Sequence, residues 1–297
     1  MELRHLRYFI AVAETGSLTE AAERRLYTSQ PSLSRQIRYL ESHVGVQLLS
    51  RSVRGVELTP AGKAFLDHAR LVLMQVDAAV ETARRAAQPD RKSFAIGFQT
   101  GHEMTWLPRA MQILHDELRE IQVTVSSDYS PDLAEALVRG RLDLAFLRVE
   151  PGYELEYHVV DREPLIVLMP SDHRLTARSS VSPQALVGEI FIGGSNKAAV
   201  LRAVTEDYLR RSGIVLKLDH GVDNMAMAIS LVASTRGVAL MPEYAKHLLP
   251  PSVVSRPLEG DAPRIDIAVG YSKSNTSPVL ELFVARLDEL VRMNQRH

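Results

Sequence analysis

The sequence predicts a chain of two parts, a small helical N-terminal domain followed by a larger α/β domain. Amphipathic helical patterns fill the first 45 residues, whereas apolar strand patterns alternate with helical patterns from Phe94 onward. A chain of 297 residues with 45% hydrophobic residues is long enough for two ordinary cores. No apolar run approaches the ~20 residues of a membrane span, and the N-terminus lacks the apolar core of a signal peptide. We therefore expect a cytoplasmic protein without a membrane partner.

Charge and composition indicate the kind of partner and exclude several kinds of chemistry. Residues 1–63 contain nine of the 35 Lys and Arg residues and six of the 36 Asp and Glu residues, so the N-terminal end is basic and the remainder acidic. A basic end favours nucleic acid as a partner. The chain has no cysteine, its histidines lack metal-ligand spacing, and no phosphate-binding glycine motif occurs. We predict no catalytic residues, no metal and no cofactor.

Three short helices are predicted in the first 45 residues. The first has apolar residues at helical spacing, namely Leu3, Leu6, Phe9, Ile10 and Ala13. The segment "SLTE" has the pattern of a capping box, in which Ser17 caps a second helix and Glu20 reaches back to it. The third helix carries Leu33, Ile37 and Leu40, and Gly45 ends it. Short helices joined by tight turns predict a helix-turn-helix.

The third helix begins with polar side chains around a proline, in "SQPSLSR" from Ser29 to Arg35. Ser29 can cap the first turn, and Pro31 suits this turn because proline has no N–H to leave unpaired. Capping does not account for Gln30, Ser34 or Arg35. These residues form either a solvated face or a surface that reads a partner, and their pattern alone leaves both open.

A basic hairpin is predicted after the third helix, within Leu48–Gly62. The pair Arg54-Gly55 separates two short segments, which is a hairpin signal. Arg51 and Arg54 flank the tip. A basic hairpin beside a helix-turn-helix is a wing, and its arginines suit contact with phosphates.

A long helix is predicted from Thr59-Pro60 onward. Its apolar positions are spaced alternately four and three residues apart, at Phe65, Ala69, Val72, Val76, Ala79, Ala83 and Ala86. This heptad spacing predicts the pairing of two chains, and the alternative is an amphipathic helix packed on its own domain. The following "AAQPDRKS" (Ala86–Ser93) indicates a linker.

Alternating strands and helices are predicted from Phe94 to the C-terminus. The strands are Phe94–Phe98, Val123–Ser126, Leu142–Phe146, Leu165–Met169, Ile190–Ile192, Val238–Met241 and Ile265–Gly270. The helices lie near 106–118, 131–139, 197–212, 224–234 and 277–293. This alternation predicts a mostly parallel sheet with helices on its faces, in one domain or in two lobes. Ligands of such folds bind at the carboxyl ends of strands.

Six segments, taken together and in order, carry a family resemblance. They are "LRYFIAVAETGSLTEAA" (Leu6–Ala22), "SQPSLSRQIRYLE" (Ser29–Glu41), "LLSR" (Leu48–Arg51), "LTPAG" (Leu58–Gly62), "GRLDLAF" (Gly140–Phe146) and "GVALMP" (Gly237–Pro242). On these segments the chain resembles, over essentially its whole length, the LysR-type transcriptional regulators of bacteria. "MELRHLRYF" and "TSQPSLSRQIR" are most similar to the branch that controls aromatic-acid catabolism.

The resemblance implies a domain organisation and a function. It implies a winged helix-turn-helix in residues 1–59, a linker and dimerisation helix in 60–88, and an effector-binding domain in 89–297 with two lobes like those of periplasmic binding proteins. Its implied partners are double-stranded promoter DNA, a small-molecule effector, RNA polymerase and further copies of the chain in a dimer or tetramer. The alternative function is a small-solute-binding or enzymatic α/β protein with an accessory helical domain.

The resemblance places the start of the third helix in the major groove. The residues expected to bind DNA are Ser29, Gln30, Pro31, Ser32, Ser34, Arg35, Arg51 and Arg54. Gln pairs with adenine and Arg with guanine, whereas Ser bonds bases or phosphates. Arg51 and Arg54, on the hairpin, are assigned to phosphate or the minor groove.

The resemblance also implies that the effector lies between the two lobes. The residues expected to bind it are Thr100, Ser130, Arg148, Asn196, Ala199 and Leu201. The helix that opens at Lys197–Leu201 offers backbone N–H groups to an anion. Arg148 is a candidate cation for a carboxylate, and in the alternative it pairs with Glu150 or Glu163. We therefore expect an organic acid as effector, with an aromatic carboxylate as the first candidate.

Two segments depart from the family pattern. The family has one residue fewer than "ERRLYT" (Glu23–Thr28), and the extra residue is either Arg24 or Arg25. It either tilts the recognition helix or lengthens the preceding one. The family also has a glycine where this chain has Thr235, so a positive φ there would strain a β-branched residue.

Overall fold

The computed structural model describes residues 1–52, 55–86 and 92–294. The chain divides into two compact units, Met1–Arg84 and Arg85–His297. Within the described ranges, no helix has the length and the apolar character needed to cross a membrane. Arg54, at the tip of the predicted hairpin, lies outside the described residues.

The first unit is a helix-turn-helix with a wing, as the sequence predicts. Its elements are α1 (Leu3–Thr15), α2 (Leu18–Glu20), α3 (Gln30–Val44), the antiparallel hairpin of β1 (Leu49–Ser52) and β2 (Gly55–Leu58), and α4 (Pro60–Ala86). Phe9, Leu33 and Ile37 are fully buried in one apolar core with the first turns of α4. This core fixes α3 with its opposite face toward solvent.

The extra residue between α2 and α3 lies in a π-helical turn, Ala21–Arg25. The N–H of Leu26 donates to the carbonyl oxygen of Ala21, five residues back, at 3.0 Å. Such a turn contains one residue more than an α-helical turn. The insertion therefore lengthens the second helix, which is one of the two predicted outcomes. Tyr27 follows it with a φ of 51°.

Gly62 allows α4 to start against the hairpin. The N–H of Gly62 donates to Thr59 Oγ1 at 2.9 Å, so Thr59 caps the helix. A Cβ atom at Gly62 would lie 1.9 Å from the carbonyl oxygen of Leu48, which is shorter than any real contact. The glycine of "LTPAG" is thus required by the close approach of two backbones.

The predicted heptad seam of α4 divides into two parts. Phe65 and Ala69 pack into the core of the first unit, and the ring of Phe65 lies 5.3 Å from that of Phe9. From Val72, which is 45% exposed, the seam turns outward, and Ala79 and Ala83 are exposed. The start of the helix is therefore a domain element, and pairing of two chains through the remainder stays a prediction.

The second unit alternates strands and helices. Its elements are β3 (Lys92–Gln99), α5 (Glu103–Ile113), β4 (Ile121–Asp128), α6 (Ser130–Val138), β5 (Leu144–Leu147), β6 (Leu155–Pro170), β7 (Phe191–Gly194), α7 (Ala199–Arg211), β8 (His220–Val222), α8 (Met225–Thr235), β9 (Val238–Pro242), β10 (Val253–Pro257), β11 (Arg264–Ser272), α9 (Pro278–Ala285) and α10 (Leu287–Asn294).

These elements form two lobes that share the long strand β6. The strand order of the first lobe is β4-β3-β5-β11-β6, and that of the second is β6-β9-β7-β8, with β10 also paired to β6. The first half of β6 pairs with β11, and Leu165–Leu168 pair with β9. Each lobe has its own apolar core, one around Phe146 and Trp106 and the other on both faces of β9.

The sheet is less parallel than the alternation predicts. β3 is parallel to β4 and β5, and β7 is parallel to β8 and β9. β6 and β11 run antiparallel to each other and to their other neighbours. The prediction of a mostly parallel sheet therefore holds at the outer strands and is wrong at the centre, where β6 and β11 connect the lobes.

Two local predictions in the second unit are corrected. The helix predicted near 277–293 is two helices, since the chain breaks at Arg286, whose Nη1 donates to the carbonyl oxygen of Ile113 at 2.9 Å. Thr235 remains helical, and its hydroxyl donates to the carbonyl oxygen of Leu231 at 2.7 Å. The left-handed residue is Arg236, with a φ of 60°, so Thr235 is not strained.

Candidate nucleic-acid interface and ligand cleft

The start of α3 carries no side-chain cap. Ser29 occupies the N-cap position with extended backbone, but its hydroxyl makes no capping hydrogen bond. The prediction that Ser29 caps the helix is therefore wrong. Its exposed hydroxyl and the free N–H groups of the first turn remain available to an external acceptor, such as a phosphate.

The residues predicted to bind DNA do not all lie on one accessible face of α3. Pro31 and Arg35 are exposed, and Gln30 and Ser32 are partly exposed. Ser34 is only 7% exposed, because it points with Leu33 and Ile37 toward the core. The structure therefore presents the start of the predicted set and Arg35 to solvent, but not Ser34.

Sequence reasoning missed two exposed residues next to this set. Arg38 lies one turn beyond Ser34 and is exposed. Tyr27, immediately before α3, is 89% exposed. Helical spacing from Arg35 could have identified Arg38, whereas the exposure of Tyr27 depends on the π-helical turn. In the hairpin, Arg51 lies in β1 opposite Val56, and Arg54 is outside the described residues.

A cleft in the second unit brings together the starts of three helices. Its open space is about 570 Å³, including space open to solvent. The lining residues at the helix starts are Tyr129, Ser130 and Pro131 of α6, Lys197, Ala198, Val200 and Leu201 of α7, and Asp223, Asn224 and Met225 of α8. Because α6 belongs to the first lobe and α7 and α8 to the second, the cleft lies between the lobes.

The three helix starts differ in their capping. Tyr129 before α6 and Ala198 before α7 make no capping hydrogen bond, whereas Asn224 caps α8 by accepting from the N–H of Met227 at 2.9 Å. The short turn Asn196–Ala198 that leads into α7 is capped by Ser195, which accepts from the N–H of Lys197 at 3.1 Å. Uncapped N-termini carry partial positive charge and unsatisfied N–H groups, so they favour an anion. These N-termini therefore contribute positive potential to the cleft, whose lining also includes the acids Glu150 and Asp223.

Arg148 lines the cleft, but its guanidinium group is already bound. Nη2 lies 2.9 Å from Glu163 Oε2, and Nη1 donates to the carbonyl oxygen of Asp266 at 2.8 Å. The pair is buried, with the side chain of Arg148 6% exposed and that of Glu163 11%. Of the two predicted roles for Arg148, the structure shows the pairing with Glu163.

His102 completes this buried network. Its Nε2 lies 3.1 Å from Glu163 Oε2, and its ring contacts that of Tyr244 with centroids 4.0 Å apart and the ring planes tilted by 50°. Burial lowers the pKa of His102. Burial alone would raise the pKa of Glu163, but the hydrogen bond from His102 and the charge of Arg148 hold it below its usual value. Glu163 is therefore ionised and neutralises Arg148.

The other predicted effector residues differ in position. Ser130 and Leu201 line the cleft, and the Ser130 hydroxyl donates to Gln99 Oε1 and accepts from the N–H of Arg148. Thr100, Asn196 and Ala199 are not among its lining residues. Thr100 is exposed, and its hydroxyl donates to the carbonyl oxygen of Asp128. The structure brings together Ser130, Arg148 and Leu201, but not the other three.

Two further cleft residues, Glu150 and Tyr244, were not predicted to bind an effector. Tyr244 lines the cleft from the second lobe and donates to the carbonyl oxygen of Thr100 at 3.3 Å. Glu150 is 7% exposed, and burial raises its pKa to about 7. Neither residue lies in a motif, so only tertiary structure identifies them.

Comparison with known proteins assigns the family. A model of the "Bacterial regulatory helix-turn-helix protein, lysR family" matches residues 3–63, and one of the "LysR substrate binding domain" matches residues 87–292. The chain belongs to the LysR family of bacterial transcriptional regulators. Membership of the LysR family confirms the predicted function of a DNA-binding regulator with an effector-binding domain and excludes the alternative of an enzyme or a solute-binding protein.

Individual LysR-family relatives are similar over nearly the full length. The chain is 35% identical to the Hca operon transcriptional activator HcaR of Escherichia coli (strain K12), over 97% of this chain and 98% of the relative. It is 32% identical to the HTH-type transcriptional regulator AlsR of Bacillus subtilis (strain 168), over 96% and 94%. Full-length CbnR, solved in complex with its target DNA, is 26% identical with a TM-score of 0.56, over 98% and 100%.

Proposed function

We propose that this chain regulates transcription in response to an organic acid, and that the acid group binds at the uncapped starts of α6 and α7. The observation that carries the proposal is the convergence of these helix N-termini on one cleft between lobes. The backbone N–H groups of these helix starts supply the positive potential, since Arg148 is paired with Glu163 and Lys197 with Asp223. Ser130 contributes a hydroxyl group, and Leu201 contributes apolar contact.

An aromatic carboxylate is the first candidate within this class. The cleft is lined by Leu201, Val200, Met225, Met241 and the ring of Tyr244, which suit an apolar body attached to the acid group. The large aromatic residues Phe98, Trp106 and Phe146 are buried in the core of the first lobe and do not line the cleft. The apolar contribution therefore comes mostly from the second lobe.

For the DNA-binding unit we propose that Ser29, Gln30, Pro31 and Arg35 contact the major groove. A dimer formed through the outward part of α4 would present two such helices to half-sites about one helical turn, or a multiple, apart. An effector that favours one closure of the cleft would change this arrangement and so shift the affinity for DNA. Contact with RNA polymerase belongs to the same proposal.

The effector proposal is tested with one variant that separates binding from folding. Ala198→Asp supplies the missing cap of α7, which typically adds ~0.5–2 kcal/mol to stability, but places a carboxylate where the acid is expected. Ala203→Asp, on an exposed position of the same helix, is the control. Full-length chain is melted with benzoate, hydroxybenzoates, succinate and malate.

Acids that bind should raise the melting temperature of the wild type and of Ala203→Asp. At one hundred times the dissociation constant, a ligand adds about 2.7 kcal/mol, which corresponds to roughly 5–11 °C for a unit of this size. The shift should disappear in Ala198→Asp, although the variant itself melts no lower than the wild type. An equal shift in Ala198→Asp would place the acid elsewhere, and no shift with any acid in the wild type would reject the organic-acid class.

A further inference from the structure

Glu150 is a cleft residue whose acidic group has no partner among the residues that the structure describes. It follows Arg148 after β5, is 7% exposed, and lines the cleft with Ser130 and Gln99. Within the described residues its carboxylate oxygens make no hydrogen bond and no ion pair, and only its backbone carbonyl accepts, from the hydroxyl of Tyr157. A buried carboxyl group without a partner is costly, and in native proteins it calls for an explanation.

The two cations that line the cleft in the described part of the chain, Arg148 and Lys197, are both paired with acids other than Glu150. Arg148, two residues earlier, directs its guanidinium group to Glu163 and to the carbonyl oxygen of Asp266. Across the cleft, the ammonium group of Lys197 lies 3.6 Å from Asp223. Among the described residues that line the cleft, Arg148 and Asp223 are therefore each paired with an oppositely charged group, whereas the acidic group of Glu150 is not.

We propose that Glu150 receives a hydrogen-bond donor of the effector, which makes the effector an acid that also carries a hydroxyl or amino group. This inference rests on the proposed function and narrows it. The acid group binds at the starts of α6 and α7, and the donor binds at Glu150. A carboxylate is an acceptor only, and a bond from a donor to a charged acceptor is among the stronger hydrogen bonds.

The protonation state of Glu150 predicts how the binding of the effector depends on pH, which provides a second test of the proposal. Burial raises the pKa of this carboxyl to about 7, against the opposing charge of Arg148. Tyr153 and Tyr157, on the following segment, also interact with Glu150, and Lys197 and Asp223 line the cleft with it. Asp132, Glu135 and Arg139 surround Tyr153. An acid that carries a hydrogen-bond donor binds best when Glu150 is ionised. The ratio of its affinity to that of the unsubstituted acid should therefore increase as pH rises through about 7.

The test compares matched acids on the full-length chain by titration calorimetry. Benzoate is compared with the three hydroxybenzoates and the three aminobenzoates, and succinate with malate and aspartate. We expect at least one donor-bearing member to bind about tenfold or more tightly than its parent acid. This advantage should increase up to about tenfold between pH 6 and pH 8.

Two substitutions of Glu150 assign the effect to this residue. Glu150→Leu removes the acceptor and should abolish the preference for the donor-bearing acid at every pH. Glu150→Gln retains a neutral acceptor, so it should keep part of the preference and lose its pH dependence. Glu154→Leu, four residues further at an exposed position, should behave as the wild type.

The outcomes distinguish this inference from the proposed function. If acids bind but donor-bearing members show no advantage, or if the advantage survives in Glu150→Leu, the role of Glu150 is rejected and the organic-acid proposal stands. If no acid binds the wild type, both are rejected together. Loss of binding of the parent acids as well in Glu150→Leu and Glu150→Gln would show a structural role instead.

Discussion

The DNA-binding helix α3 and the cleft of the second unit differ in the exposure and pairing of their arginines. Arg35 on α3 is exposed and, within the described residues, has no hydrogen bond or ion pair. Arg148 in the cleft is 5% exposed and is bound by Glu163 and the carbonyl oxygen of Asp266. An exposed, unengaged arginine can meet a partner without breaking a bond, whereas a buried and paired one mainly supports its surroundings. An arginine is therefore expected to contact a binding partner in the first unit and to stabilise the fold in the second.

The comparison is tested most strongly by removing the buried arginine. Arg148→Ala leaves the buried carboxylate of Glu163 without its cation, and breaking such a pair typically costs about 3–5 kcal/mol. We expect a loss of this size in the unfolding of the second unit, followed by circular dichroism in denaturant. Arg162→Ala is the matched control, since Arg162 is 69% exposed and also pairs across the sheet, with Asp266 at 3.4 Å. The control should lose less than about 1 kcal/mol, and equal losses would contradict the distinction.

A smaller effect is expected at Glu150, and it depends on pH. The pKa of this carboxyl rises from 4.5 to about 7 on folding, so the folded state retains the proton over this range. Its contribution to stability is fully present below about pH 4.5 and is lost as pH rises through about 7. Glu150→Gln should therefore match the wild type near pH 4.5 and exceed it at pH 8 by up to about 3 kcal/mol. The exposed Glu154→Gln should show no such trend, and a pH-independent difference for Glu150→Gln would contradict the raised pKa.

Removal of the exposed arginine should affect binding rather than stability. Arg35→Ala should weaken binding to the specific operator by about 1–3 kcal/mol if Arg35 reads a base, with less than about 0.5 kcal/mol lost in stability. Gel-shift titrations at fixed salt measure the first quantity and thermal melts the second. Ser34→Ala is the contrasting variant, because Ser34 is buried and should leave specific binding unchanged. Unchanged affinity and specificity in Arg35→Ala would remove this residue from the interface.

The smallest effect is expected from deletion of the extra residue. Removing Arg24 should convert the π-helical turn into an α-helical turn while retaining Arg25, which pairs with Glu14. Arg24 contributes only an exposed pair with Glu20 at 3.4 Å, so we expect a change in stability within about 1 kcal/mol. A large loss of operator affinity in a stable deletion variant would show that the π-helical turn positions Tyr27 for DNA contact.

The sequence predicted elements better than contacts. Motifs and periodicity located the helix-turn-helix, the wing and the strands of both lobes, because these patterns are local. They missed β8 and β10 and the first half of β6, where the pattern of apolar residues is short or interrupted. At the break, Arg286 donates a hydrogen bond to Ile113, 173 residues earlier, and no local sequence pattern indicates this contact.

The sites were predicted unevenly for the same reason. Most predicted residues of α3 are accessible because helix position determines exposure, and Ser34 is the exception because it falls on the buried side with Leu33. In the cleft, the partner of Arg148 is 15 residues away and the position of Glu150 depends on the meeting of two lobes. Residue type alone could not separate the paired acid, Glu163, from the unpaired one.

The continuous strand β6 has a mechanical consequence for the second unit. Because its 16 residues belong to both lobes, the lobes are connected by a continuous strand and not by a flexible loop. Any opening of the cleft must therefore bend β6 together with its partner β11. The register between these strands shifts at Ile267 and Ala268, which face Asp161 and Val159, so Val160 is the added residue of a bulge. Bulges bend strands, and this one lies a few residues from the point where β6 changes partners. The bend at this bulge therefore lies next to the segment through which β6 connects the two lobes.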